Sequence, residues 1–193
     1  MSLAHCHTAA VSDMGMVDVR PARDSDADDI RTVYAPFVTH TFVSFEEDVP
    51  TAEEMLRRMK SRPRLPWLVA ADDREVVGFA YASRHRQRAA YRWSTECSVY
   101  LTQAYQGQGI ARLLYERLNA DLRSLGYVRA LAGITLPNPA SVRVHEALGY
   151  RPIGVFESVG FKLGQWRDVG WWSLPLAEPS TSPRVPLEWA PGV

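Results

Sequence analysis

The spacing of hydrophobic residues changes period several times along the chain, and each change marks an element. "MVDVRPA" (16–22) alternates in the manner of a strand. "DSDADDIRTVYAPFV" opens on acidic residues suited to a helix start and continues with Ile30, Val33, Tyr34 and Phe37 at helical spacing. Thr51 with Glu54 reads as a capping box for a helix ending near Pro63. "WLVAADDREVVGFAYAS" predicts two strands joined by a tight Asp-Asp-Arg turn, and "STECSVYLT" (94–102) predicts a further strand. Beyond "AYQGQGIARLLYERL" (104–118), Ile110, Leu113, Leu114, Leu118, Leu122 and Leu125 form one predicted apolar stripe that Gly126 ends. "YVRALAGIT" reads as a strand. "LPNPASVRVHEALGY" reads as a short helix with Asn138 at its N-cap, Pro139 at the first helical position and Gly149 past the end. "YRPIGVFES" and "RDVGWWSLPL" are the closing strands. The order β-α-α-β-β-β-α-β-α-β-β, with no repeat and no linker, predicts one mixed α/β domain over residues 16–177.

The flanks lack such patterning. Residues 1–15 read as a flexible extension. The "HCH" at 5–7 offers three adjacent ligands without a fourth, a poor zinc pattern, so no metal is expected. Residues 178–193 hold four of the thirteen prolines and read as an irregular tail.

Composition narrows the function. Lys+Arg and Asp+Glu both number 22, so no global field draws the chain to nucleic acid or to a membrane surface. No apolar run is long enough to span a bilayer, and the N-terminus lacks a basic stretch followed by an apolar one. Cys6 and Cys97 lie far apart, which suits a reduced, cytoplasmic protein.

The chemistry concentrates where glycines precede the long helix. A helix N-terminus exposes unpaired N–H groups and attracts anions, and glycines leave that backbone approachable. A P-loop would need Gly-Lys-Ser/Thr, which is missing, and the dinucleotide fingerprint fails because the sixth position from Gly107 is Arg112. The pyrophosphate loop of acetyl-CoA-dependent N-acetyltransferases, Gln/Arg-x-x-Gly-x-Gly/Ala, fits Gln106, Gly109 and Ala111. With "YRWSTECSVYL" before it, "LPNPASVRVHEALGY" after it and "GFKLGQWRDVGWW" near the end, the chain over 17–176 resembles the GCN5-related N-acetyltransferases (GNAT), in particular the phosphinothricin / methionine sulfoximine group.

That resemblance implies a GNAT fold in which the strand before the loop splays from its neighbour. Val99, Tyr100 and Leu101 would then meet the acetyl and pantetheine portion of acetyl-CoA, with the Leu101 amide donating to the thioester carbonyl. Gly107, Gln108, Gly109, Ile110, Ala111 and Arg112 would cradle the pyrophosphate. Asn138 would contact the cofactor arm, unless it is only an N-cap.

On the acceptor side, strand alternation places Glu96, Ser98 and Tyr100 on one face and Cys97, Val99 and Leu101 on the other. A mid-strand carboxylate among apolar neighbours is costly without a role; burial would raise its pKa towards that of a useful base, whereas the plain alternative is a salt bridge to a nearby arginine. The resemblance supports Glu96 as general base. His145 stands where many relatives carry a tyrosine that protonates the departing thiolate, and is a candidate acid or a structural histidine. Cys97 has no base at motif spacing and is not expected to be a nucleophile.

"SRHRQRAAYRW" (83–93) is rich in arginine, whose planar fork suits carboxylate and phosphinate oxygens. The resemblance places Arg86, Arg88 and Tyr91 at the acceptor site, in a homodimer; Glu96, Cys97 and Ser98 are candidate substrate contacts on the neighbouring strand, and Phe45 is a candidate apolar wall or else a core residue. Acetylation of the α-amine of phosphinothricin or methionine sulfoximine is therefore the leading expectation. Another small amine is the alternative, polyamines being disfavoured by the basic loop. A non-catalytic acetyl-CoA sensor is the remaining one, and it would have no use for Glu96.

Overall fold

The computed structural model describes residues 17–191 except Arg74. The amino-terminal extension and its "HCH" lie outside the described residues. The elements follow the predicted order: β1 (Asp18–Pro21), α1 (Ala27–Thr39), α2 (Ala52–Met59), β2 (Trp67–Asp72), β3 (Glu75–Arg84), β4 (Ser94–Leu101), α3 (Ile110–Ser124), β5 (Arg129–Thr135), α4 (Pro139–Ala147), β6 (Arg151–Lys162) and β7 (Gln165–Pro175). The strands form one sheet in the order β1-β2-β3-β4-β5-β7-β6. Every pairing is antiparallel except β4 with β5, which run parallel because α3 crosses between them.

Apolar spacing assigns the two faces of the sheet. Ile30, Val33 and Tyr34 of α1 and Met55 of α2 pack with Val69, Phe79 and Tyr100 on one face. Leu114, Leu118 and Leu122 of α3 cover Leu68, Ala80, Cys97 and Ala130 on the other, together with Tyr150 and Trp172 beside α4. Leu113 departs from the predicted stripe: it is 49% exposed. At about 100° per residue it lies roughly opposite Leu122, nine positions on, so one face cannot hold both.

Local chemistry sets the helix ends. Thr51 Oγ1 accepts from the Glu54 amide at 3.1 Å. The reciprocal half of the expected capping box is missing, because the Glu54 carboxylate instead accepts from Arg57 and Arg58. α2 stops at Met59, earlier than the predicted end near Pro63. Asn138 Oδ1 caps α4 by accepting from the Ser141 amide at 3.1 Å.

The C-terminal segment is irregular, as its prolines imply, yet it is docked. The Trp93 indole donates to the Arg184 carbonyl, the Leu187 amide to Leu125 and the Trp189 amide to Arg64, and the Trp189 ring is buried in the core. Each isolated hydrogen bond falls between prolines that cannot donate. The folded unit therefore extends past the predicted boundary at 177.

Candidate active site

The coenzyme side begins with a short ladder. β4 and β5 pair only through Ser94–Arg129, Thr95–Ala130 and Glu96–Leu131, although β4 continues to Leu101 and β5 to Thr135. Beyond Glu96 the two strands part, while each keeps its other neighbour, β3 or β7. In an antiparallel ladder alternate residues bond to the partner. The Thr102 amide donates to Val77, and the same register turns Tyr100 to β3, so the main-chain groups of Val99 and Leu101 face the gap. The Tyr100 side chain goes to the core, stacked on Phe79 and edge-on to Tyr34.

The gap leads to the loop before α3. Gly107 and Gly109 have φ of 76° and 83°, the left-handed region that favours glycine, and a Cβ at either position would meet nothing within 4 Å. Gly109 is the N-cap of α3, and its carbonyl accepts the first helical bond from Leu113. The amides of Ile110, Ala111 and Arg112 thus have no partner inside the helix. Gln106 holds the loop in place, its Nε2 donating to the Leu101 carbonyl at 3.1 Å, and Gln108 does the same to Ala104 at 2.7 Å. The Arg112 guanidinium is engaged by Glu116 on the next turn.

A small hollow of about 50 Å³ lies in the gap, walled by Val99, Gly133, Asn138, Tyr115 and His145 among others. His145 is 3% exposed. Its Nδ1 lies 2.8 Å from the Ser141 carbonyl, which fixes that nitrogen as the donor. Nε2 then accepts from the Tyr115 hydroxyl at 2.9 Å, and the same hydroxyl lies 3.2 Å from the Cys97 carbonyl. Burial lowers the His145 pKa below its ordinary value, partly offset by the Ser141 carbonyl, while burial raises Tyr115 well above the usual phenol range. A neutral imidazole with both nitrogens occupied holds α4 against α3. Tyr115, thirty positions from His145 in sequence, was not predicted for the site. Cys97 also lines the hollow, and burial pushes its thiol up to about 12, which suits an inert wall rather than a nucleophile.

On the opposite face of the sheet Glu96 is not buried; its side chain is 30% exposed. Its partner is a histidine rather than an arginine: His85 Nδ1 lies 2.8 Å from Glu96 Oε1. The register explains this, since Ser83 pairs with Glu96 and His85 is the next residue on that face. The His85 ring sits edge-on to Tyr91 at 5.7 Å and to Trp171 at 6.0 Å between centroids. The Trp171 ring lies against bare Gly133, and its indole N–H is buried with no partner among the described residues.

Three predicted acceptor residues lie outside the hollow at the gap. Arg86 and Arg88 line a cavity that shares no residue with the hollow at the gap. Phe45 packs its ring on Gly160 of β6, where a Cβ would come within 2.1 Å of it. It is Val43 of the same loop that reaches the gap. Lys162 secures this loop by donating to the Ser44 carbonyl at 2.5 Å.

The signature of the Acetyltransferase (GNAT) family matches residues 29–150, which span α1 through α4 and both sides of the gap. The chain belongs to the GNAT acetyltransferase family. It is 34% identical over 165 residues to a phosphinothricin N-acetyltransferase of Streptomyces viridochromogenes, covering 85% of this chain and 90% of that protein. It is 32% identical over 162 residues to the L-methionine sulfoximine/L-methionine sulfone acetyltransferase of Salmonella typhimurium, covering 83% and 95%. The crystal structure of a GNAT phosphinothricin acetyltransferase from Sinorhizobium meliloti in complex with AcCoA superposes with a TM-score of 0.83 at 34% identity, over 87% of this chain and 93% of that one. This GNAT member is an acetyl-CoA-dependent N-acetyltransferase. The unpaired amides of the gap and the bare helix start fit a thioester arm followed by a diphosphate.

Proposed function

We propose that this enzyme moves the acetyl group of acetyl-CoA to the α-amine of a small amino acid, with phosphinothricin or methionine sulfoximine as the acceptors to test first. The observation that carries the reading is the parting of β4 and β5 beside Glu96 and His85. The thioester carbonyl lies against the Leu101 amide, which stabilises the negative charge that grows on its oxygen. The amine nitrogen attacks the carbonyl carbon and passes a proton to Glu96, directly or through water, with His85 holding the carboxylate in place. Collapse of the tetrahedral intermediate breaks the C–S bond and releases the coenzyme thiolate, which takes up a proton from solvent. The Tyr115 hydroxyl on the wall of the hollow donates to His145 and keeps that wall in place. The amides of Gly107–Arg112 hold the diphosphate, and Asn138 borders the pantetheine arm while capping α4.

The acceptor head meets Tyr91 and the unpartnered Trp171 N–H, which supplies a hydrogen bond to an oxyanion. Names borne by the relatives support this acceptor class. Thiol release from acetyl-CoA, followed over a panel of amino acids, tests the proposal. Turnover is expected with phosphinothricin or methionine sulfoximine, and Glu96→Gln lowers kcat by roughly 10²-fold or more with coenzyme affinity intact. Undiminished activity in Glu96→Gln refutes the assigned base.

We also propose a homodimer. Ile153, Val155, Phe156, Phe161 and Trp166 of β6 and β7 are all more than half exposed, along a sheet edge. An apolar edge of this kind is a pairing surface.

A further inference from the structure

The segment that joins β4 to α3 is held together mostly by contacts with itself. Gln103–Tyr105 form a single 3₁₀ turn, in which the Tyr105 amide donates to Thr102 and the Gln106 amide to Gln103. The Gln106 and Gln108 side chains bond within the same stretch, to the Leu101 and Ala104 carbonyls. Bonds of this kind shape a loop without fixing it to the sheet. A lone 3₁₀ turn has poor hydrogen-bond geometry, and Gly107 and Gly109 add backbone freedom on its far side.

The sheet register supplies a fastening. β3 runs antiparallel to β4, with Gly78 opposite Leu101 and the Val77 carbonyl accepting from the Thr102 amide. β3 begins earlier, at Glu75, so the β2–β3 turn at Asp72 reaches past the end of β4 and along the segment that follows it. There the Tyr105 hydroxyl donates to Asp72 Oδ2 at 2.6 Å. Among the described residues this is the one side-chain hydrogen bond that ties residues 103–109 to another element. A carboxylate acceptor makes it one of the stronger kind, and the same bond raises the Tyr105 pKa above its ordinary value. The Tyr105 ring packs against the core that α3 covers, so the hydroxyl is carried on a seated side chain.

We propose that Tyr105 and Asp72 are positioning residues for coenzyme binding. Through their bond the β2–β3 turn keeps the loop in the shape that presents the amides of Gly107–Arg112 to the diphosphate; this rests on the reading that those amides receive it. A loop that visits its competent shape for only a fraction of the time binds with an affinity reduced by that fraction. Neither residue lines the hollow in the gap, so the effect falls on coenzyme affinity and leaves the chemical step alone.

Calorimetric titration of the full chain with coenzyme A tests this, with kcat for thiol release measured alongside. Tyr105→Phe keeps the ring and removes the hydroxyl. It is expected to weaken coenzyme A binding roughly fivefold or more, with kcat at saturating acetyl-CoA within about twofold of the unmodified chain. Asp72→Ala weakens binding likewise, and the double variant no further, because both changes remove one contact. Asp72→Asn, whose side-chain carbonyl still accepts, restores most of the affinity. Gly109→Ala strains the loop directly and reports on the diphosphate reading: unchanged coenzyme A binding in that variant overturns the reading and the proposal together. Weaker binding in Gly109→Ala with undiminished binding in Tyr105→Phe overturns the proposal alone. So do additive losses in the double variant, a lowered thermal midpoint in Tyr105→Phe with coenzyme affinity intact, or a loss of kcat in place of affinity.

Discussion

Glu96 and His85 meet because a hairpin register brings residues eleven apart to one face, and neither is remarkable alone. Sequence spacing singles out Glu96 through strand alternation, but the partner depends on which residue of β3 stands opposite, and that is set by the hairpin loop. His85 was counted within a basic run, so its separation from the flanking arginines was invisible. The Tyr115–His145 contact joins two helices and is likewise illegible in a linear pattern. It has a consequence for stability. Burial lowers the folded-state pKa of His145 below the 6.5 of the unfolded chain, so the unfolded chain binds more protons between the two values. Its stabilising contribution is complete above 6.5 and declines as pH falls through that window. Thermal midpoints measured from pH 7.5 to 5 should fall for the unmodified chain, and His145→Gln should flatten that slope; an unchanged slope contradicts the buried neutral imidazole.

At the scale of elements, the alternation of strand and helix was fully written in hydrophobic spacing, and so were the ends set by Asn138, Gly126 and Gly149. What spacing could not give was the length of each ladder. Nothing in "STECSVYLT" or "YVRALAGIT" says that the two strands stay paired for three positions and then part, because pairing between strands distant in the chain is set by tertiary packing rather than by either strand's own pattern. The loop before α3 was legible, since only glycine relieves a positive φ without cost and the expected openness is what the structure shows. Gly109→Ala there adds about 1 kcal/mol of strain and sets a methyl group against the bare amides. Steady-state kinetics should show KM for acetyl-CoA rising roughly tenfold, about 1.4 kcal/mol, with kcat little changed. A change confined to the acceptor KM would move the diphosphate away from this loop.

For the whole molecule, the proposed reading sets acceptor chemistry on the α1/α2 face at Glu96 and brings the coenzyme in through the gap, while the arginine cavity occupies the α3 face. The acceptor role expected of Arg86 and Arg88 rests on guanidinium chemistry and family resemblance; the structure sets both on a cavity that Tyr91 also lines. The prolines of the tail predict irregular chain, and Trp189 and Leu187 anchor that irregular chain to the fold. A homodimer through β6 should appear in light scattering as twice the 21.7 kDa chain mass, and Phe156→Glu should shift it to the monomer. A dimer that survives Phe156→Glu moves the interface elsewhere.

Backbone amide shifts recorded by NMR during titration with acetyl-CoA probe the gap and the loop together. The account predicts that the largest changes fall on Val99, Leu101 and the amides of Gly109 to Arg112. Changes centred on the arginine loop at 84–92, with Val99 and Leu101 unmoved, would contradict it.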